Sequence, residues 1–93
     1  MRTYEAMCVF RADQDVFSAG VESVREELKT LGAEIEKEED MGTRQLAYPI
    51  KKQIQAHYYY YVCKMDPEAA HKTEHALRLQ EALLRFLMVR RDD

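Results

Sequence analysis

Tyr58 to Tyr61 are four tyrosines in a row, and Val62 and Cys63 extend them into the densest apolar run of the chain. A short run this rich in aromatic and β-branched residues is a strand, and it carries aromatic side chains to both faces. Successive strand residues alternate, so Tyr58 and Tyr60 share one face while Tyr59 and Tyr61 share the other. A strand of that kind belongs in the middle of a sheet, where one tyrosine pair fills a core. The second pair then lies on the opposite side, and what covers that side bears on what the chain can bind.

Hydrophobic period supplies the other elements. From Thr3 to Phe10, the set Tyr4, Ala6, Cys8 and Phe10 alternates with Thr3, Glu5, Met7 and Val9, which predicts a strand with the first set toward the core. Phe17, Val21, Val24, Leu28 and Leu31 recur at gaps of three and four. That is an amphipathic helix, which Asp13 or Asp15 can cap and Gly32 can end. Gly20 inside it costs about 1 kcal/mol against Ala, which suggests either close packing or simple tolerance. After Ala33 the period returns to two, with Glu34, Glu36 and Glu38 on one face and Ile35, Lys37 and Glu39 on the other. Gly42 breaks this strand as a bulge, and strand-like sequence resumes over Arg44–Ile50. Pro49 cannot donate to a ladder, which puts this strand at a sheet edge. A turn over Lys51–Ala56 leads to the tyrosine strand, His57–Met65. Asp66, Pro67 and Glu68 start a second helix that runs to Leu79 or Gln80, and Leu83–Arg90 is a final strand.

The order strand, helix, strand, strand, helix, strand predicts an α+β, ferredoxin-like βαββαβ fold. Its four-stranded antiparallel sheet has both helices on one face, the first and third strands central, and the second and fourth at the edges. The other face has no helical cover.

The 93 residues are expected to form a single domain, residues 1–93. A domain of this size buries only roughly 60–65% of its unfolded surface, which leaves one modest core and no room for an elaborate enclosed active site. Lys and Arg number 14 against 17 Asp and Glu, a formal charge of −3. That balance argues against holding nucleic acid by bulk charge alone. The charge is uneven, however: residues 1–40 carry 11 acids and 5 bases, whereas residues 41–93 carry 6 acids and 9 bases. Two cysteines inside apolar runs make no disulfide scaffold, and nothing resembles a signal peptide or a membrane span. A soluble, reduced, cytoplasmic protein is expected.

Catalytic patterns are weak. His71-Lys72-Thr73-Glu74-His75 fits the H-x-x-E-H string of inverted zinc proteases, with the histidines one helical turn apart. Those enzymes are large and take a further ligand from well downstream, and only 18 residues follow His75. The apolar face of this helix runs through Ala70, Thr73 and Leu77, which leaves both histidines near solvent. Glu36 and Glu38 have no nucleophile or histidine beside them, and the glycines at 20, 32 and 42 make no phosphate loop. No enzyme, no metal and no cofactor are expected. Tyr58 and Tyr60 are the informative pair. Aromatics on a four-stranded sheet stack bases in RNA-recognition motifs, although the Gly-aromatic signature of that family is missing here. A covering protein is the second reading, since Tyr is favoured at interfaces, and plain hydrophobic patterning is the third.

The segment Gly42-Thr43-Arg44-Gln45-Leu46-Ala47-Tyr48-Pro49-Ile50-Lys51 resembles the signature of the bacterial small-subunit ribosomal protein S6 family: Gly, a basic residue, Leu-Ala-Tyr and Ile at fixed spacing. Met1-Arg2-Thr3-Tyr4-Glu5 resembles that family's start. Leu77-Arg78-Leu79 through Leu84-Arg85-Phe86-Leu87-Met88-Val89 resembles its second-helix exit and last strand. The likeness covers nearly the whole chain in one register.

This resemblance implies a structural role without catalysis. Members join the platform of the small ribosomal subunit, binding central-domain rRNA cooperatively with the small basic eighteenth protein of that subunit, with which they form a heterodimer. By position, Arg2, Arg44, Arg85, Arg90 and Arg91 fall where the family is usually basic. With Lys51 and Lys52 they are the expected phosphate contacts. Tyr58, Tyr60, Leu87 and Val89 are the expected partner-facing residues, while Phe86 and Met88 should pack under the helices. Ala56 stands where a glycine is common in the turn, which predicts a different turn type. The alternative is a single-strand RNA-binding module of the RNA-recognition-motif type that stacks bases on Tyr58 and Tyr60.

Overall fold

A computed structural model describes residues 1–91. Its elements are β1 (Arg2–Arg11), α1 (Gln14–Thr30), β2 (Glu34–Ile50), β3 (Gln53–Met65), α2 (Pro67–Arg78) and β4 (Leu83–Arg91). The four strands form one antiparallel sheet in the order β2-β3-β1-β4. The tyrosine strand and β1 are therefore central, and the Pro49 strand is an edge, as its missing donor requires.

Alternation decides which side chains meet the helices. Tyr4, Ala6, Cys8 and Phe10 of β1 join Tyr61, Cys63 and Met65 of β3 in a buried core with Phe17, Val21, Val24 and Leu28 of α1 and Ala70 and Leu77 of α2. Phe86 and Met88 pack against this core from β4, the side predicted for them. Tyr61 is fully buried, and its hydroxyl donates to the Val21 carbonyl at 3.0 Å. Thr73, also fully buried, donates to the Ala69 carbonyl at 2.9 Å, so the inward face of α2 tolerates a hydroxyl.

The helix ends follow the sequence signals. Asp13 occupies the N-cap of α1, and Asp66 precedes Pro67 at the start of α2. Gly32 has φ +88° one residue beyond the Leu31 C-cap; Gly32 N–H bonds Lys29 O at 3.0 Å and Ala33 N–H bonds Leu28 O at 2.9 Å. This left-handed closure satisfies two end carbonyls that would otherwise be open. α2 stops at Arg78, a residue or two before the expected end.

Gly20 is a close-packing residue. A Cβ there would lie 2.8 Å from the Ala82 Cβ and 2.8 and 2.9 Å from Phe10 ring carbons. Gly20→Ala gains about 1 kcal/mol of helix propensity but overpacks at a cost of about 1–3 kcal/mol. A net loss of stability is expected, read as a lower denaturant midpoint with an unchanged slope.

Three expectations need correction. The turn is not Lys51–Ala56 but only Lys51 and Lys52, at φ +49° and +67°, and β3 already begins at Gln53. Two successive positive φ values match a primed two-residue hairpin, a turn that normally announces itself with Asn-Gly rather than Lys-Lys. Ala56 is consequently not a turn residue: it is fully buried in β3, opposite Arg11 and Arg44. Ile35, finally, does not share a face with Lys37 and Glu39. The register slips between Ile35 and Lys37, so Ile35 pairs with Cys63 and packs on the core, while Lys37 pairs with Val62. A bulge inserts one residue and reverses the parity after it. The Gly42 bulge is present where expected, with a second slip between Asp40 and Gly42 and φ +85° at the glycine.

Candidate nucleic-acid interface

The sheet face turned away from the helices is assembled by register. Met7 lies between Tyr60 and Leu87, Val9 between Tyr58 and Arg85, and Glu5 between Val62 and Val89. No helix covers this face, yet one end of it is covered by its own hairpin. Leu46 and Ile50 of β2 pack with Tyr58 on a small cluster of Val9, Ala56 and Leu84. The remainder presents Leu87 at 64% exposure and Val89 at 44%.

Tyr58 and Tyr60 are half-buried rather than open. The Arg44 guanidinium sits 5.7 Å from the Tyr58 ring centroid, and the Lys37 ammonium 6.0 Å from that of Tyr60. Each ring thus carries a cation near its face. The Tyr60 hydroxyl also donates to Glu5 Oε1, while Arg91 Nη2 donates to the same oxygen at 3.0 Å and to Tyr60 Oη at 3.3 Å. The Tyr60 hydroxyl, followed by Arg91, holds the Glu5 carboxyl below its usual range, and Glu5 in return pushes the Tyr60 phenol up. A charged, hydrogen-bonded knot thus sits beside the apolar strip of Leu87 and Val89.

The seven expected cations are all exposed, but they do not form one patch. Arg2 at the start of β1 lies near Arg90 and Arg91, which pair with Tyr4 and Thr3 at the end of β4. Arg44, Lys51, Lys52 and Arg85 gather at the opposite end, around the β2–β3 hairpin. Arg85 and Arg91 are six residues apart on β4, about 20 Å at the rise of a strand. Arg85 Nη2 donates to the Tyr48 hydroxyl at 3.1 Å, and its guanidinium is 5.8 Å from the Tyr48 ring centroid. Lys51 and Lys52 have no ion pair among the described residues. The hairpin end therefore offers cations that no carboxylate pairs with among the described residues.

Glu5, Lys37 and Tyr48 are not among the sequence candidates. Parity alone puts Glu5 on the Tyr60 face. Lys37 reaches that face only through the bulge, which no local pattern announces. Tyr48 is visible as an aromatic in an edge strand, and its 57% exposure is the feature that sequence does not supply.

On the helix side, Arg25 of α1 grips β2. Its Nε and Nη2 donate to the two carboxylate oxygens of Glu38 at 2.9 and 2.7 Å, and Tyr59 Oη donates to Glu38 Oε1 at 2.9 Å. These bonds, Arg25's first, hold the Glu38 carboxyl below its usual 4.5. A depressed carboxylate contributes stability above its unfolded pKa and loses it as pH falls toward the folded value. Unfolding free energy measured by urea titration is therefore expected to fall as pH drops below about 4.5, and to fall less steeply in Glu38→Gln. Further along the same strand pair, His57 stacks on Phe17, centroids 3.5 Å apart, and its Nε2 lies 2.5 Å from Asp40 Oδ1. Asp40 Oδ1 also accepts the Gly42 N–H at 2.9 Å, which pins the bulge where β2 turns toward the hairpin.

The residues weighed for catalysis fall elsewhere. His71 and His75 are exposed on α2, whose inward face is Ala70, Thr73 and Leu77, as expected. Cys8 and Cys63 are buried on adjacent strands but are not cross-strand partners, since Cys8 faces Tyr59 and Cys63 faces Tyr4. Burial pushes the Cys8 thiol up to about 12 and the Cys63 thiol to about 11, which makes both poor nucleophiles.

Comparison with known proteins agrees with this architecture. A family model described as ribosomal protein S6 matches residues 3–90. The small ribosomal subunit protein bS6 of Treponema pallidum is 42% identical over 92 residues, covering 99% of both chains. That of Treponema denticola is 33% identical over 93 residues, covering both chains completely. The crystal structure of 30S ribosomal protein S6 from Thermotoga maritima superposes with a TM-score of 0.88 at 27% identity, covering 97% of this chain and 87% of that one.

Proposed function

The chain belongs to the ribosomal protein S6 family, whose members are small-subunit ribosomal proteins rather than enzymes, and from that premise we propose how it binds in the subunit. It is a ribosome-associated, cytoplasmic scaffold protein that contacts central-domain small-subunit rRNA together with a small basic protein, the eighteenth of that subunit. The helix-free sheet face carries the reading. Leu87 and Val89 are exposed apolar groups beside Tyr58 and Tyr60, a surface suited to a protein, while the flanking cations at the two ends of the sheet are suited to phosphates. Arg2, Arg90 and Arg91 serve one end, and Arg44, Lys51, Lys52 and Arg85 the other.

The formal charge of −3 fits shared binding. Phosphate neutralisation scales with the cations placed on RNA, and a basic partner supplies those that this chain lacks. Its own acidic first half steers that partner to it. The alternative, bases stacked on Tyr58 and Tyr60, is disfavoured because both rings are half-buried, Tyr58 packs with Leu46 and Ile50, and the Tyr60 hydroxyl is tied to Glu5.

Sucrose-gradient sedimentation of a native cell extract tests the assignment. The protein is expected to travel with small subunits in magnesium buffer; recovery only in the ribosome-free fractions would refute it.

A further inference from the structure

We propose that the end of the sheet where the β2–β3 hairpin meets β4 is a seat for one unpaired nucleotide, with the base on Tyr48 and its phosphate among Lys51, Arg78 and Arg85. The proposal rests on the RNA-binding reading above and adds to it two residues, Tyr48 and Arg78, and a mode of contact.

Lys51 at the hairpin tip, Arg78 at the last turn of α2 and Arg85 on β4 line one cleft of about 350 Å³, so the hairpin brings a cation to the place where α2 ends and β4 begins. The acid in its lining is Glu74, which sits 3.7 Å from Arg78 and leaves the cleft with an excess of positive charge. A second hollow adjoins it through Arg85, which lines both, and Tyr48 stands in that second wall. Tyr48 is 57% exposed, unusual for so large a ring, and it is oriented by the Arg85 hydrogen bond and the guanidinium near its ring. The hairpin tip is held out by two lysines at positive φ, a conformation that costs energy in residues other than glycine.

An oriented, exposed aromatic next to convergent cations is the recognition chemistry of an unstacked base with its phosphate. A paired base in a helix cannot offer its face to the ring, so the ligand is a nucleotide in a loop, bulge or end. An acidic peptide would satisfy the cations but leave the ring without a partner.

The test is affinity of the full chain with its basic partner for a central-domain rRNA fragment. Tyr48→Leu keeps apolar bulk and removes the stacking face, and binding is expected to weaken by about 5- to 150-fold, the worth of one base–aromatic stack. Tyr48→Phe keeps the face and should bind within about twofold of the parent. Arg78→Gln should lower the slope of log affinity against log salt by about 0.7–0.9, the loss of one phosphate contact. Equal thermal midpoints confirm that these exposed positions leave the fold intact. Wild-type affinity in Tyr48→Leu, with Arg2→Gln still weakening binding, would overturn this site and spare the RNA reading. Weaker binding of Tyr48→Leu to the partner alone, without RNA, would assign the ring to the protein interface and also overturn the site. No rRNA binding by the unaltered pair would overturn both.

Discussion

Tyr61→Ala should lower the unfolding free energy by about 3–5 kcal/mol, the range for truncating a large buried aromatic. Tyr61 is fully buried between α1 and the centre of the sheet, with the Tyr59 ring 5.0 Å away. Its loss opens a cavity in the middle of the core, and neighbours held in a sheet ladder cannot collapse into it. A domain of this length has a total stability of roughly 5–14 kcal/mol, so the variant is expected to be largely unfolded in modest denaturant. Tyr61→Phe separates the two contributions. It keeps the ring and removes only the bond to the Val21 carbonyl, for an expected loss of about 1 kcal/mol. Urea titration of both variants reads the difference. Equal losses would mean that the hydroxyl, not the packing, holds this part of the core.

Leu87→Glu should do the opposite: leave the fold intact and remove the partner. At 64% exposure Leu87 contributes little to the core, and surface changes of this kind move stability by only about 0.5 kcal/mol. In the complex the same position would lie at an apolar contact, where a carboxylate has no cation from its own strand row, since Met7 and Tyr60 are its neighbours. Burying an uncompensated charge is costly, and partner affinity is expected to fall about tenfold or more. Calorimetric titration with the basic partner, alongside a thermal melt, checks both halves. Unchanged partner affinity would move the protein interface off this strand.

Much of the fold is legible in the residues because each element has a strong period. The tyrosine strand, the Phe17-to-Leu28 stripe and the Asp66-Pro67 helix start are local signals, and local physics suffices for them. What escapes is set by backbone slips and by non-local partners. The Ile35–Lys37 bulge has no glycine to mark it, yet it puts Ile35 in the core and Lys37 beside Tyr60. The Lys51-Lys52 turn lacks the residues that its geometry favours. On the helix-free sheet face, side-chain type marks the exposed cations and Leu87, but not that the cations separate into two ends. Nor does sequence spacing reveal that Lys51 joins Arg78 and Arg85, because the hairpin tip and the α2–β4 connection are far apart in the chain.

One titration tests whether RNA binding is shared: a central-domain rRNA fragment against this chain, with and without saturating basic partner. Cooperative sites are coupled by a free energy that corresponds to about 5–150-fold in affinity. Shared binding predicts weak binding by the chain alone and an improvement in that range when the partner is present. The same dissociation constant in both titrations would contradict it.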